Sequence, residues 1–175
     1  MSLTSTLRQR IENLILGTYA PSATFSIATN RFRLHDWDAG TLEQNTDSTI
    51  DRSFHVDMGA AIPDPSFNPL DGFCLYSAQV TVKVGYLYTH SGDGLTENST
   101  YDSGTGYLTD VVDRANTDMH DIIRTLTWHG NWGSLTPSVF GIIQRSFTLR
   151  QLDTKIIADI GFTVRFQAST TTSYV

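Results

Sequence analysis

Residues 107 to 126 read YLTDVVDRANTDMHDIIRTL, and this stretch decides how the rest of the chain can fold. Its apolar side chains recur every three or four residues, which places seven of them on one face of an α-helix. Burying that stripe contributes roughly 10 to 20 kcal/mol, at about 1.5 to 3 kcal/mol per side chain. We therefore expect this central helix to be the main partner of a β-sheet.

The opposite face of the central helix carries charged residues. We interpret them as a solvated face with helix-spaced ion pairs, Asp110 with Arg114 and Asp121 with Arg124. Such pairs contribute about 0.2 to 0.5 kcal/mol each on a helix surface. The helix is thus predicted to bury one side only.

A second amphipathic pattern spans residues 4 to 16. Its apolar face is formed by Leu7, Ile11, Leu14 and Ile15. Gly17 follows these residues at the position where glycine often caps the C-terminus of a helix. The sequence therefore predicts an N-terminal helix that ends near Gly17.

Three segments between the two helices alternate apolar and polar residues, which is typical of half-buried strands. They cover about residues 25 to 34, 53 to 58 and 78 to 88. In the first segment the alternation changes parity at Asn30. Because a shift of one residue moves side chains to the other face of a strand, we expect a bulge or tight bend there.

Two longer strand patterns, FGIIQRSFTLRQL and KIIADIGFTVRF, follow the central helix. In the first, Ile143, Phe147 and Leu149 are predicted to share a face with Arg145. In the second, the even-numbered residues from 156 to 166 are apolar and form one face. The short connection between them predicts a hairpin turn at about residues 151 to 155.

The element order is therefore α-β-β-β-α-β-β. It predicts an α+β fold, in which a single antiparallel or mixed β-sheet packs against two helices. The length suits a single domain over residues 1–175. Two long polar loops, about 36–51 and 91–105, contain acidic residues, among them Asp51, and no basic ones. We interpret each as a solvated flap or as a loop that orders on a partner.

The chain is acidic, with a formal net charge of -6 and two lysines among its 12 basic residues. Nucleic-acid binding is disfavoured because phosphates are neutralised by clustered lysine and arginine. An acidic surface instead suits a protein past which DNA moves without sequence-specific binding. The N-terminus lacks a secretory signal pattern, and no stretch is apolar enough to cross a membrane, so we expect synthesis in the cytoplasm and no membrane partner.

The sequence contains no pattern of catalytic or ligand-binding residues that stands out. His55 and Asp57 share a strand face, but two ligands do not make a metal site. The glycine-rich run from Gly104 to Thr109 departs from the nucleotide-binding pattern at its last position. Cys74 lies among apolar residues, which raise the pKa of a thiol and make it unreactive. We predict no catalytic residue, no metal and no cofactor, and we expect the protein not to be an enzyme.

Aromatic and charged residues near the loops are better functional candidates, because such residues are enriched in protein interfaces. Basic residues after residue 142 contrast with the acidic loops, and opposite charges at opposite ends of a fold favour head-to-tail association. The predicted subunit or partner interface comprises Trp37, Trp128, Trp132, Arg145, Asp159 and Arg165.

In this element order the chain resembles the tail terminator, or tail completion, proteins of long-tailed bacteriophages. The resemblance rests on the N-terminal helix TLRQRIENLILG, the central helix and the closing hairpin FGIIQRSFTLRQL with KIIADIGFTVRF. It implies a homo-oligomeric ring of six copies at the head–tail junction of the virion, made in the host cytoplasm. The ring would stop polymerisation of the tail tube protein and bind the head connector or adaptor protein, while DNA passes through it.

Two alternatives remain open from the sequence. One is a different structural or adaptor protein of the phage neck or minor tail. The other is a small α+β enzyme or ligand-binding domain with an apolar pocket between helix and sheet. The sequence offers no set of residues that would obviously converge on such a pocket.

Overall fold

The structure, a computed structural model, describes residues 3–18, 26–35, 51–64, 73–87, 108–132, 138–152 and 155–169. Within these residues it contains two α-helices and a mixed six-stranded sheet, so the predicted α+β class is confirmed. The helices are α1, Leu3–Ile15, and α2, Leu108–Thr127. The strands are β1, Arg33–Leu34; β2, Ser53–Met58; β3, Ile62–Pro63; β4, Phe73–Leu87; β5, Ser138–Gln151; and β6, Lys155–Ser169.

The structure adds one strand to those predicted and moves the start of another. β3 was not predicted, because its proline argues against a strand, but among the described residues it pairs only with β4, near the start of that strand, where a proline is tolerated. β4 begins at Phe73 rather than at residue 78, which gives β3 its partner. The predicted hairpin turn between β5 and β6 is confirmed, with the Leu152 N–H donating to the Lys155 carbonyl at 2.8 Å.

The strands lie in the order β1-β2-β4-β6-β5 across the sheet, with β3 paired to β4 beside this row. β1 and β2 run parallel, and the other pairs are antiparallel. β4 and β6 pair along their whole lengths, from Phe73 opposite Ser169 to Leu87 opposite Lys155. β6 therefore lies between two long strands, whereas β5 lies at an edge.

Both helices pack against one face of the sheet, to which β4 and β6 contribute their even-numbered residues. The face predicted for β6 from residue 156 to residue 166 is confirmed. The largest fully buried side chains are Trp132, Tyr86, Phe32, Phe54, Phe162, Phe166, Leu7, Ile11, Leu14 and Ile15. One continuous core thus joins α1, α2 and the sheet.

Both backbone breaks predicted in the N-terminal region are confirmed. Gly17 ends α1 with φ +68°, and a Cβ at this position would overlap the carbonyl oxygen of Ile27. Asn30 has φ +69° and forms a turn in which the Arg31 N–H donates to the Ala28 carbonyl at 3.2 Å. Because this turn interrupts the predicted strand, β1 contains only the two residues after it that pair with β2.

The predicted shared face of β5 is wrong because the strand contains two register shifts, at residues 139–141 and 144–146. Ile143 lies opposite Thr163, on the side away from the helices, and Arg145 bonds to the same threonine. Phe147 lies opposite Ile160, which is buried in the core. An extra residue in a bulge reverses the side on which the following residues lie.

The predicted solvated face of α2 is also wrong in part. Arg114, which was assigned to that face, is buried, and so is Asp118 of the same helix. Arg114 pairs with Asp51 at 2.8 Å, and Asp121 pairs with Arg31 at 2.7 Å. Asp51, which ends the predicted acidic loop 36–51, is therefore part of an ionic contact with α2.

Candidate interaction surface

The outer face of the sheet is the side opposite the packed helices, and it is mostly polar. It is formed by the odd-numbered residues of β4 and β6, together with the β5 residues that pair with odd-numbered residues of β6. At the hairpin end, Ile157 is fully buried against Leu87 and Leu152. Towards the middle, Gln79, Arg145 and Arg165 are exposed. The outer face thus has a closed apolar end and an open polar centre.

A row of hydrogen bonds crosses this centre from β5 to β4. The Arg145 Nε donates to the Thr163 Oγ1 at 3.0 Å, and that hydroxyl donates to the Gln79 Oε1 at 3.2 Å. Thr163 is only 6% exposed, whereas its two hydrogen-bond partners, Arg145 and Gln79, are exposed. The row therefore fixes the position of the Arg145 guanidinium on the surface.

Charges of both signs lie on either side of this row. Asp159 accepts a hydrogen bond from the Arg150 Nε at 2.9 Å and lies 4.0 Å from the Lys83 Nζ. Further along, Arg165 reaches the Asp64 carboxylate at 3.4 Å. Ion pairs with this degree of exposure contribute about 0 to 1 kcal/mol each, so they organise the surface more than they stabilise the fold.

The β5 strand forms one edge of the sheet and is exposed along most of its 14 residues. Three large apolar side chains on it are exposed: Phe140 at 42%, Ile143 at 41% and Phe147 at 37%. Soluble proteins usually protect edge strands with charged side chains, proline or bulges; β5 contains no lysine or proline, but it has two arginines and two bulges. Long, partly apolar edges of this kind are typical of strands that add to a partner.

The bulges in β5 determine which side chains face outward. A Cβ at Gly161 of β6 would overlap the Ser146 hydroxyl beneath the second bulge, so a larger residue there would require the Ser146 side chain to rotate. The first bulge adds Phe140 as an extra residue between two paired ones. Bulges often re-aim side chains near functional sites. Here they place Ile143 and Arg145 on the outer face and Phe147 on the opposite side of the strand.

The structure brings three of the six predicted interface residues together, since Arg145, Asp159 and Arg165 all lie on the outer face. Trp128 lies elsewhere, after α2, and is 41% exposed. Trp37 lies outside the described residues.

Trp132 is part of the core rather than of the surface, at 2% exposure. Its Nε1 donates to the Leu126 carbonyl at 2.8 Å, and the Arg10 guanidinium lies 6.0 Å from its ring. A short 3₁₀ turn over His129–Asn131 folds the tryptophan back on the end of α2. It therefore completes the hydrogen bonding of the helix terminus and cannot contact a partner while this fold is intact.

An ionic cluster, formed by Arg31, Arg52, Arg114, Asp51, Asp118 and Asp121, lies on the helix side of the sheet. Arg114 and Asp118 are buried in it, and the other four side chains are half-buried. Asp118 is fully buried and accepts hydrogen bonds from Arg31 and from the Arg52 Nε, the latter at 2.7 Å. Arg52 adopts φ +55°, which is rare for a residue with a side chain. The cluster joins α2 to the two chain segments that precede β1 and β2.

Burial changes the protonation equilibria around this cluster. Desolvation raises the pKa of Asp51, although Arg114, the Leu87 N–H and Arg52 act against the change. The fully buried Tyr86 has a pKa well above its usual value, first because of desolvation and then because of the Asp118 charge. Desolvation opposes the charge of Arg31, but Asp118 and Asp121 outweigh it and raise its pKa.

The sequence contains a signal for this cluster beyond the division of α2 into an apolar and a charged face. Asp118 is seven residues after Val111 and four before Ile122, so it lies on the apolar stripe of α2. A carboxylate in such a stripe requires cationic partners when the stripe is buried. The sequence signal for the exposure of Phe140 was weaker, because bulges depend on pairing between strands.

No protein-family model matches the sequence, and no curated protein matches it significantly. Within the described residues, no group of three or more His, Cys, Asp or Glu residues could hold a metal ion. Neither described helix has both the length and the apolar composition needed to span a bilayer.

Proposed function

We propose that the protein is a structural component of a phage virion that forms a ring at the head–tail junction. The ring caps the tail tube and joins it to the head connector. The single observation that carries the proposal is the β5 edge: a 14-residue strand, exposed along most of its length, that bears three exposed apolar side chains. The proposal also draws on the resemblance in element order to tail terminator proteins.

The β5 edge supports a role in assembly because its exposure is a liability for a protein that works alone. An uncovered edge offers unpaired backbone groups to any other strand. The three apolar side chains add contact area on the same strand, and burying an apolar side chain contributes about 1.5 to 3 kcal/mol. A permanent partner would remove the risk of uncontrolled pairing and gain this energy.

The rest of the domain supplies a rigid support for that edge. β6 pairs with β4 over its full length and with β5 on the other side, while α1 and α2 cover the helix side of the sheet. The ionic cluster around the buried Asp118 fixes α2 to the chain segments before β1 and β2. A subunit of this construction can transmit load between neighbours without rearranging its core.

The proposal is tested by locating the protein in purified virions by electron microscopy with a specific antibody label. Label confined to the head–tail junction supports a terminator or neck ring. Label along the tail or on fibres keeps a structural role but overturns the terminator assignment. Absence of label from all particles overturns the virion role and favours the enzyme or ligand-binding alternative.

A further inference from the structure

Among the described residues, the sheet has two open edges that differ in charge. β5 forms one edge, and its only charged residues are Arg145 and Arg150. The other, the β2–β3 edge, is formed by residues 55–64, which pair with β4 on one side, while β1 covers only the first two residues of β2. The β2–β3 edge contains Asp57 and Asp64 and neither lysine nor arginine. The two edges therefore carry charges of opposite sign.

Each edge exposes one charged side chain that has no ion-pair partner within the described part of the chain. On β5 this is Arg145, whose Nε donates to the Thr163 hydroxyl. On β2 it is Asp57, which lies opposite Thr81 of β4. Both lie on the outer face, because Thr81 and Thr163 are odd-numbered residues of β4 and β6. A guanidinium and a carboxylate are thus exposed on one face at opposite edges.

The two edges also match in the spacing of their exposed residues. On β5, Phe140 is 42% exposed and comes five residues before Arg145. On the β2–β3 edge, Ile62 is 62% exposed and comes five residues after Asp57. Antiparallel strands run in opposite directions, so a register with Arg145 opposite Asp57 also sets the two apolar side chains opposite each other.

The strand directions within the sheet allow this antiparallel pairing between copies. β2 is antiparallel to β4, β4 to β6, and β6 to β5, so β5 runs opposite to β2. A second copy placed beside β5 in the same orientation therefore presents its β2–β3 edge antiparallel to β5. The helices of both copies then lie on the same side of the extended sheet.

We propose that β5 of one copy pairs with the β2–β3 edge of the next copy, so that the two sheets become continuous. Arg145 then meets the neighbour's Asp57, and Phe140 meets the neighbour's Ile62. This inference rests on the proposed function, because it specifies the contact between adjacent subunits of the ring. The contact joins two different surfaces and is heterologous, which is the arrangement that generates rings when the rotation closes.

Electrostatics argues against pairing of identical edges about a two-fold axis. Two β5 strands would bring two arginines each to the contact, with no acidic residue on either strand to offset them. Two β2–β3 edges would likewise bring together Asp57 and Asp64 of both copies. Like charges on neighbouring strands are destabilising. Only the pairing of unlike edges sets opposite charges against each other.

The first test exchanges the two charges in the full-length protein and measures association by sedimentation velocity over a range of concentrations. The single variants are Arg145→Glu and Asp57→Arg, and the double variant carries both changes. The control is Arg8→Glu, which reverses the charge of an arginine of α1 that is 51% exposed. Circular dichroism and thermal melting establish that each variant folds.

Each single variant should associate about tenfold more weakly than the wild type, or worse, because like charges then meet at every contact. The double variant should recover most of this loss, since Glu and Arg again face each other with their positions exchanged. The control should associate as the wild type does. A role of either residue in folding alone would not produce recovery in the double variant.

The second test is a disulfide cross-link, and it does not depend on charge. In a Cys74→Ser background, which removes the native thiol, Phe140→Cys and Ile62→Cys are introduced separately and together. After oxidation, the variant with both cysteines should give covalent species of three or more copies on a non-reducing gel. Either single-cysteine variant should remain monomeric, because its cysteine faces a residue without a thiol.

Three results would overturn the inference. If the double charge variant associates as weakly as the single variants, Arg145 and Asp57 do not meet, although a ring through another surface remains possible. If Phe140→Cys alone forms covalent dimers, β5 pairs with β5 about a two-fold axis. If the wild type is monomeric at every concentration, the contact is wrong, and the antibody label on virions decides separately whether the proposed ring fails too.

Discussion

The centre of the sheet and its β5 edge are made from similar residues that experience different surroundings. In β6, the even-numbered side chains from Ile156 to Phe166 are at most 1% exposed. In β5, only Val139 is buried, and two phenylalanines and an isoleucine reach the surface. β6 has a strand on each side and helices above it, whereas β5 has one strand partner among the described residues. An aromatic residue therefore stabilises the fold in β6 and presents a contact surface in β5.

The strongest test of this difference between β6 and β5 is to truncate one phenylalanine in each strand. Phe162→Ala in β6 removes a fully buried ring and should lower the free energy of unfolding by about 3 to 5 kcal/mol. Phe147→Ala in β5 removes a ring that is 37% exposed and should cost about 1 kcal/mol or less. Urea unfolding of both variants, at a concentration where the protein is monomeric, measures the difference.

Self-association should respond in the opposite order. Phe147→Ala should weaken it, while any folded fraction of Phe162→Ala should associate as the wild type does. An equal loss of stability in both variants would mean that β5 is covered in the free subunit, and the distinction between centre and edge would be wrong.

Charged residues allow the same comparison between a buried and an exposed position, with smaller expected effects on stability. Asp118→Ala removes a fully buried carboxylate and leaves Arg52 without its ion-pair partner, which should cost about 3 kcal/mol. Asp159→Ala removes a carboxylate of the outer face that pairs with Arg150, and exposed pairs of this kind contribute about 0 to 1 kcal/mol. Unfolding free energies at neutral pH measure both effects.

Asp118→Asn is the matched control for the buried position, since it keeps the shape of the side chain and removes only the charge. If it is as stable as the wild type, the ionic cluster contributes packing rather than electrostatics. If Asp159→Ala costs as much as Asp118→Ala, the outer face is part of the fold rather than a surface for contact.

How well a feature could be predicted from the sequence depends on how far apart in the chain its interacting residues lie. The stripe of α2, the alternation of β6 and the cap at Gly17 are local, so periodicity and glycine placement reveal them. The bulges of β5 depend on its register with β6, and a pattern read on one strand wrongly placed Ile143 on the same face as Phe147 and Leu149.

The ionic cluster depends on longer separations still. Arg31 and Arg52 reach Asp118 across 87 and 66 residues of sequence. Nothing in a helical pattern identifies such partners, although the position of Asp118 on an apolar stripe indicates that partners must exist. Asp159 and Arg165 lie on the face that regular alternation predicts for them, whereas the burial of Trp132 results from a local turn that alternation does not indicate.

The smallest expected effect is the change in the stability of the ionic cluster with pH. Burial raises the pKa of Asp51 above its ordinary value of 3.8. The groups that face it are Arg114 and Asp118 on α2, the Leu87 N–H on β4 and the adjacent Arg52. Because the folded protein holds the Asp51 proton more tightly than the unfolded chain does, protonation of Asp51 favours folding. Its contribution is fully present below the ordinary pKa and is lost as pH rises through the raised value.

Asp51→Asn removes this titration while it keeps a side chain similar to the protonated form. The free energy of unfolding of the variant, relative to the wild type, should therefore increase as pH rises through that window and remain constant on either side of it. Urea unfolding at closely spaced pH values measures the relation, with Asn116→Ala as a control at an exposed position of α2 where neither residue titrates. A relative stability that falls with rising pH would mean that the ion pair with Arg114 outweighs the desolvation of Asp51. The cluster would then stabilise the fold mainly through attraction between charges. In this respect it would resemble the ion pairs of the outer face more than the apolar core.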